Sequence, residues 1–270
     1  MIHIMNGNFA LPQPTAVVPG NFDGLHTGHM ELINTMKTAA KAKGLKTAVV
    51  SFFPHPMVFF GKSPELKCLL VCDEKKLLLK ESGIDYFVEL PFDRKLVELS
   101  PVGFFDTVLV QMLNCREFVI GEDFCFGKNR AGNAETARNI CTEKMIGLSV
   151  VKARKCDTAD EKVSSTLIRE LIQAKKIEQA NGLLGYKYFA CGEVEAAETS
   201  GGNLFTVLTV AVDERKLLPP QGAYSAEIAV GAKVFRCVVT IEGSIVRVCL
   251  DMKIVIENGV RVKVRFLAEL

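Results

Sequence analysis

The apolar run Thr15-Ala16-Val17-Val18 leads into ten residues, Gly20-Asn21-Phe22-Asp23-Gly24-Leu25-His26-Thr27-Gly28-His29. A buried strand that meets a glycine-punctuated turn and then a helix start is one βα unit of a parallel sheet, and it aims free backbone amides at an anion such as phosphate. His26 and His29 are three apart, so a helix opening near Leu25 sets both on one face of its first turn. The whole chain has four histidines, His3, His26, His29 and His55. Two of them in one decapeptide point to chemistry more than to chance.

The same alternation continues to about Val151. Strands are expected at 15–19, 46–52, 85–90, 117–121 and 148–152. A first helix carries Ile33, Met36, Ala39 and Ala40 and stops near Gly44. Others fit Glu74–Ser82, with Leu77, Leu78 and Leu79 inward, Val102–Leu113 behind Ser100-Pro101, and Thr136–Ile146. This is an α/β pattern with a parallel sheet. Ligands of such sheets bind beyond the carboxyl ends of the strands. Gly20–His29, Pro54-His55-Pro56 and Gly121–Gly127 should therefore line one edge. A charged loop, Lys152–Lys162, precedes Ser164, Ser165 and Thr166, which can cap a helix burying Leu167, Ile168, Leu171 and Ile172. With Arg169 as a planar cationic fork, that helix start is a second anion site, or an ordinary capped helix. Beyond Gly185 the pattern turns to short strands at 188–194, 204–212, 224–230, 233–241, 245–250 and 260–267, a small barrel or sandwich. Two domains follow, 1–185 and 186–270.

A net charge of +2 from 33 basic and 31 acidic residues gives no field suited to nucleic acid or an anionic membrane, so an anion must be held locally. No segment reaches the ~20 apolar residues of a bilayer span, and Met1–Gly7 lacks a signal-peptide pattern. Nine cysteines without a CxxC spacing read as reduced thiols, and the cytoplasm is the expected location. Imidazoles at a helix start suit nucleotidyl transfer, where charge builds on phosphoryl oxygens and a departing pyrophosphate. The bland alternative is a pair of surface histidines on a structural turn. Zinc lacks a third ligand at recognisable spacing. Magnesium, held mainly by substrate phosphates and water, fits better, with Asn21 and Asp23 as nearby oxygen donors. His55 suits a substrate contact or a stiff loop. Phe52, Phe53, Phe124 and Phe126 suit a slot for an aromatic ligand or plain core.

The Gly20–His29 decapeptide, Pro54-His55-Pro56, Gly83-Ile84-Asp85 leading to Pro91-Phe92, Gly121–Gly127 with Arg130 and Gly132, and Ser164–Arg169 together carry a family likeness. Over about residues 15–185 the chain resembles the prokaryotic bifunctional riboflavin kinase/FMN adenylyltransferases, or bacterial FAD synthetases. Their amino-terminal module belongs to the nucleotidyltransferase superfamily. The resemblance implies a Rossmann-like nucleotidyltransferase domain followed by a small all-β barrel, with ATP and FMN as substrates and Mg2+ accompanying ATP. It implies no nucleic-acid or membrane partner and no metal held by a dedicated set of side chains. His26, His29, Asn21 and Arg169 would be catalytic. Gly20, Phe22, Asp23, Gly28, Gly121, Asp123, Phe126, Ser164, Ser165 and Thr166 would contact ATP, and Pro54, His55, Pro56 and Phe124 the flavin. Phe53 stands where the family usually has glutamate. The carboxyl-terminal region looks like the family's kinase barrel, through Gly192-Glu193-Val194 and Leu217–Tyr224. The kinase's Pro-Thr-Ala-Asn signature is absent near Val207–Val210, and Arg247 falls where a glutamate base is expected. Arginine cannot accept a proton from a hydroxyl, so kinase activity is expected to be lost. The rival readings are a fully bifunctional enzyme, a non-catalytic flavin- or nucleotide-binding protein, and, suggested by Phe53, a nucleotidyltransferase acting on another phosphate or alcohol.

Overall fold

The computed structural model describes residues 1–5, 9–156, 159–200 and 205–270. The chain forms two compact units, Met1–Leu66 with Lys75–Lys162, and Lys67–Glu74 with Val163–Leu270. The helices at Ser165–Gln173 and Ile177–Leu184 thus pack with the second unit; 185/186 stays a boundary proposed from sequence kinship.

In the first unit six strands, β1 (Ile2–Ile4), β2 (Thr15–Pro19), β3 (Lys46–Phe53), β4 (Tyr86–Pro91), β5 (Cys115–Gly121) and β6 (Gly147–Val151), form a sheet ordered β1-β4-β3-β2-β5-β6. All its pairings are parallel. β2 is buried throughout, as its unbroken apolar run requires. From β2 the chain winds outward through β3 and β4, then returns to β5 on the other side. The strand order therefore reverses beside β2, the kind of place where such sheets take ligands, and Gly20 follows the end of β2 there.

Helix α1 (Thr27–Lys43) starts two residues later than Leu25, and Gly44 closes it at φ 64°. Its buried residues are Ile33, Met36 and Ala40. β1 was not anticipated; three residues at a sheet edge carry no readable period. The helix behind Ser100-Pro101 is regular over Pro101–Phe104 and then widens into a π-helix, Phe105–Met112. In the helix Cys72–Glu81, Leu79 is buried but Leu77 and Leu78 are only half-buried, and Glu74 and Lys75 are buried instead. Where a charged loop was expected, β7 (Lys155–Cys156) pairs with β8 (Ala159–Lys162); residues 157 and 158 lie outside the described set.

The second unit is built on a closed antiparallel barrel of β9 (Phe189–Ser200), β10 (Phe205–Val212), β11 (Gly222–Val230), β12 (Lys233–Glu242), β13 (Ile245–Leu250) and β14 (Arg261–Glu269). Alternation along β10 sends Thr206, Leu208, Val210 and Val212 inward. Leu208, Val210 and Val212 join Tyr188, Tyr224 and Phe266 in one core. Leu204, the first residue expected of the second barrel strand, lies outside the described residues. The helix Ile177–Leu184 was also missed, although Ile177, Ala180 and Leu184 bury one helical stripe.

Candidate active site

The turn after β2 is fastened to β3 by the Gly20 amide, which donates to the Val50 carbonyl at 2.9 Å. Phe22 and Leu25 occupy left-handed backbone, φ 47° and 40°, at a cost of about 1–2 kcal/mol each for a residue with a Cβ. Their side chains are fully buried, and burial of this kind contributes about 2–3 kcal/mol apiece, enough to offset the strain. The fold thus holds the turn in a shape the chain would not choose alone.

That shape makes His26 the N-cap of α1, outside its first turn, with Nδ1 accepting the His29 amide at 3.3 Å. The remaining proton of a neutral His26 then sits on Nε2. The two imidazoles stack at 3.7 Å between centroids, 18° from parallel. Phe22 packs against His29 at 5.2 Å. Gly28 leaves room for this stack, since a Cβ there would lie 3.3 Å from the His26 ring. His29 Nδ1 is buried with no hydrogen-bond partner among the described residues. Burial, reinforced by Lys162 and opposed by Asp23, pushes the His26 pKa down to about 4. Burial, then His26, Lys75 and Lys162, hold His29 well below the usual histidine range. The pair is neutral at pH 7, and an arriving polyphosphate would favour its protonated form.

Lys75 escaped the sequence reading. Its Nζ donates to the Asn21 carbonyl and to Ser51 Oγ, both at 3.0 Å, and Ser51 Oγ donates to the same carbonyl at 3.1 Å. Asp23 is buried in the same turn.

The other two loops leave the same edge of the sheet. After β3, His55 caps the short helix Pro56–Phe59, its Nδ1 accepting the Met57 amide at 3.1 Å. Around it Phe52, Phe59 and Phe60 meet Phe92 edge to face, while Phe53 is 53% exposed. After β5, Gly121 precedes Asp123, which pairs with Lys162. Phe126 is buried against Phe104, Phe105, Phe118 and Phe124. Gly132 accommodates that ring; a Cβ there would lie 2.7 Å from it. Phe126 is thus part of the core, and Phe124 is half-buried beside it.

Ser164, Ser165, Thr166 and Arg169 belong to the second unit. Ser164 Oγ caps its helix by accepting the Leu167 amide at 3.2 Å. Ser165 and Arg169 are half-buried and Thr166 exposed. Arg169 Nε donates to the Lys67 carbonyl at 3.3 Å.

A family model described as FAD synthetase matches residues 9–167. The bifunctional riboflavin kinase/FMN adenylyltransferase of Bacillus subtilis is 32% identical over 245 residues, 89% of this chain and 76% of that protein. An FAD synthetase of Listeria monocytogenes is 32% identical over 183 residues, 67% of this chain and 73% of its own length. A crystal structure of a Streptococcus pneumoniae protein named as a macrolide-efflux protein superposes with a TM-score of 0.87 at 24% identity, covering 100% of this chain and 91% of that one. That likeness is one of fold. The decapeptide turn and its histidine pair lie within a family match that spans more than half of the sequence, and on these grounds the chain belongs to the FAD synthetase family.

Proposed function

We propose that the chain is an FMN adenylyltransferase that makes FAD and pyrophosphate from FMN and ATP at the Gly20–His29 turn. A phosphate oxygen of FMN attacks the α-phosphorus of ATP, a new P–O bond forms, and the bond to the β-phosphate oxygen breaks as pyrophosphate leaves. The observation that carries this reading is the stacked His26–His29 pair at the start of α1, with the buried Nδ1 of His29 unpartnered among the described residues. Such imidazoles, with the helix amides, offer donors to phosphoryl oxygens as charge develops. Magnesium supplies charge neutralisation on the phosphates when it arrives with ATP. The buried carboxylate of Asp23 is an oxygen donor of the kind it takes, and Asn21 offers another.

Ser164, Ser165, Thr166 and Arg169 are proposed triphosphate ligands by chemistry and kinship. Gly20, Phe22, Gly28, Gly121 and Asp123 are proposed on the ATP side. Pro54, His55 and Pro56, with Phe124, are proposed on the flavin side. For Phe126 a shaping role from within the core is the form that fits its burial. The cytoplasm is the proposed location; among the described residues no helix is long and apolar enough to cross a membrane. Loss of kinase activity is proposed from β10 and β13. Arg247 lies opposite Thr209 in the barrel register, and its guanidinium pairs with Glu242 at 3.4 Å.

Purified protein with magnesium, ATP and FMN should release FAD and pyrophosphate together, whereas ATP and riboflavin should yield no FMN. Absence of FAD overturns the adenylyltransferase reading. FMN from riboflavin would establish a bifunctional enzyme instead.

A further inference from the structure

Lys75 is 7% exposed, and among the described residues no carboxylate pairs with it. A buried ammonium is strongly disfavoured unless its charge is balanced or well solvated by fixed dipoles. Here two oxygens stand in for water. The Asn21 carbonyl and Ser51 Oγ form a closed triangle with Nζ, its three sides 3.0, 3.0 and 3.1 Å. The ring of Phe87, 5.9 Å from Nζ to its centroid, adds a weak third face. One corner of the triangle is the backbone of the phosphate turn itself. The carbonyl so held immediately precedes Phe22, whose backbone is left-handed at φ 47°. Ser51, fully buried on β3, joins that pin to the centre of the sheet.

We propose that Lys75 is a positioning residue for adenylyl transfer, its ammonium fixing the Asn21 carbonyl and hence the turn that aims His26 and His29, while leaving a buried positive charge that a polyphosphate balances. The inference rests on the adenylyltransferase reading, and it adds a residue outside the decapeptide to the catalytic turn. Burial first, then His26, and then the Lys75 charge hold His29 well below the usual histidine range, so Lys75 also faces the histidine pair.

The test uses the full chain and begins with wild type, where absence of FAD refutes the reading on which the inference rests. Given an active wild type, Lys75→Met keeps the length of the side chain and removes charge and donors. It should lower kcat about a hundredfold, the scale of a lost electrostatic contact near a transition state, with KM for FMN little changed. Binding of magnesium pyrophosphate should weaken at least tenfold. Lys75→Arg, which restores charge and donors, should recover at least a tenth of the wild-type kcat. Ser51→Ala removes one corner of the triangle at little risk to folding and should cost about threefold to tenfold in kcat. The double variant Lys75→Met/Ser51→Ala should be no slower than Lys75→Met, because the two act as a unit. A folded Lys75→Met within threefold of wild type overturns the proposal. So does Lys75→Arg no better than Lys75→Met. If Lys75→Met does not fold, Ser51→Ala at the wild-type rate overturns it.

Discussion

Two imidazoles stacked 3.7 Å apart with buried edges resist protonation until an anion reaches them. For His26 this has a defined sign. The unfolded residue takes up a proton near pH 6.5, whereas the folded one does so only near pH 4. Between those values the unfolded state binds more protons, so stability is full above about pH 6.5 and falls as pH drops through the window, by about 3 kcal/mol at its end. Denaturant unfolding of wild type and His26→Gln at pH 7.5 and 4.5 isolates this, because carboxylates titrate alike in both. Wild type should lose about 2–3 kcal/mol more than the variant; equal losses would show that His26 titrates normally. His29→Ala should lower kcat by about a hundredfold to a thousandfold while the chain stays folded. Near-normal turnover in that variant would remove the histidine pair from the chemistry.

Among elements, α1 and the pairing of β5 with β6 each depend on a glycine. Gly28→Ala puts a methyl 3.3 Å from the His26 ring inside a helix start that otherwise welcomes alanine. Thermal stability should hardly move while kcat falls about tenfold, a split that a merely structural glycine would not give. Gly147 answers to packing instead. A Cβ there would fall 1.8 Å from Glu117 Oε2 and 2.6 Å from Lys43 Nζ. The buried Glu117 carboxylate accepts from Lys43 at 2.5 Å and from Ser149 Oγ at 2.9 Å. Gly147→Ala should therefore cost about 2–4 kcal/mol in a denaturant titration, by forcing that carboxylate off its partners. These elements also mark what could be read from sequence. β2, the turn and α1 were legible because buried strand, glycine punctuation and helical spacing coincide within thirty residues. Ile177, Ala180 and Leu184 carried a helical stripe that was legible but passed over, while the π-helix at 105–112 adds a residue per turn that a 3.6-residue period does not reveal. Lys75 was illegible for another reason. Lys76 and three leucines follow it, and the partners that hold it inward, Ser51 and Asn21, are remote in sequence.

On the scale of the whole molecule, the barrel also anchors a piece of chain far from it in sequence, because the unit it belongs to includes Lys67–Glu74. Residues 67–74 are part of that unit: Cys68 donates to the Arg215 carbonyl at 2.7 Å and accepts from the Leu217 amide at 2.8 Å. At the end of this segment Glu74 and Lys216 form a fully buried ion pair at 2.8 Å. Lys216 Nζ also donates to the Leu69 carbonyl at 2.6 Å and lies 4.3 Å from the Tyr188 ring centroid. Glu74 accepts the Cys191 amide at 2.7 Å and the Val71 amide at 3.2 Å. Glu74 thus ties the segment to β9 through the Cys191 amide, and Lys216 ties it to the turn before β11 through the Leu69 carbonyl. Desolvation makes such a pair a weak source of net stability, but loss of one partner strands the other charge. Lys216→Met should therefore destabilise the chain by about 3–5 kcal/mol. Glu74→Gln/Lys216→Met should recover part of that loss, because glutamine carries no charge and its one acceptor oxygen can keep one of the two amides, which the carboxylate takes on separate oxygens. If the double variant is as unstable as Lys216→Met, stability comes from the lysine's own contacts with Leu69 and Tyr188. If Lys216→Met unfolds at the wild-type denaturant midpoint, the pair does not fasten residues 67–74 to the barrel.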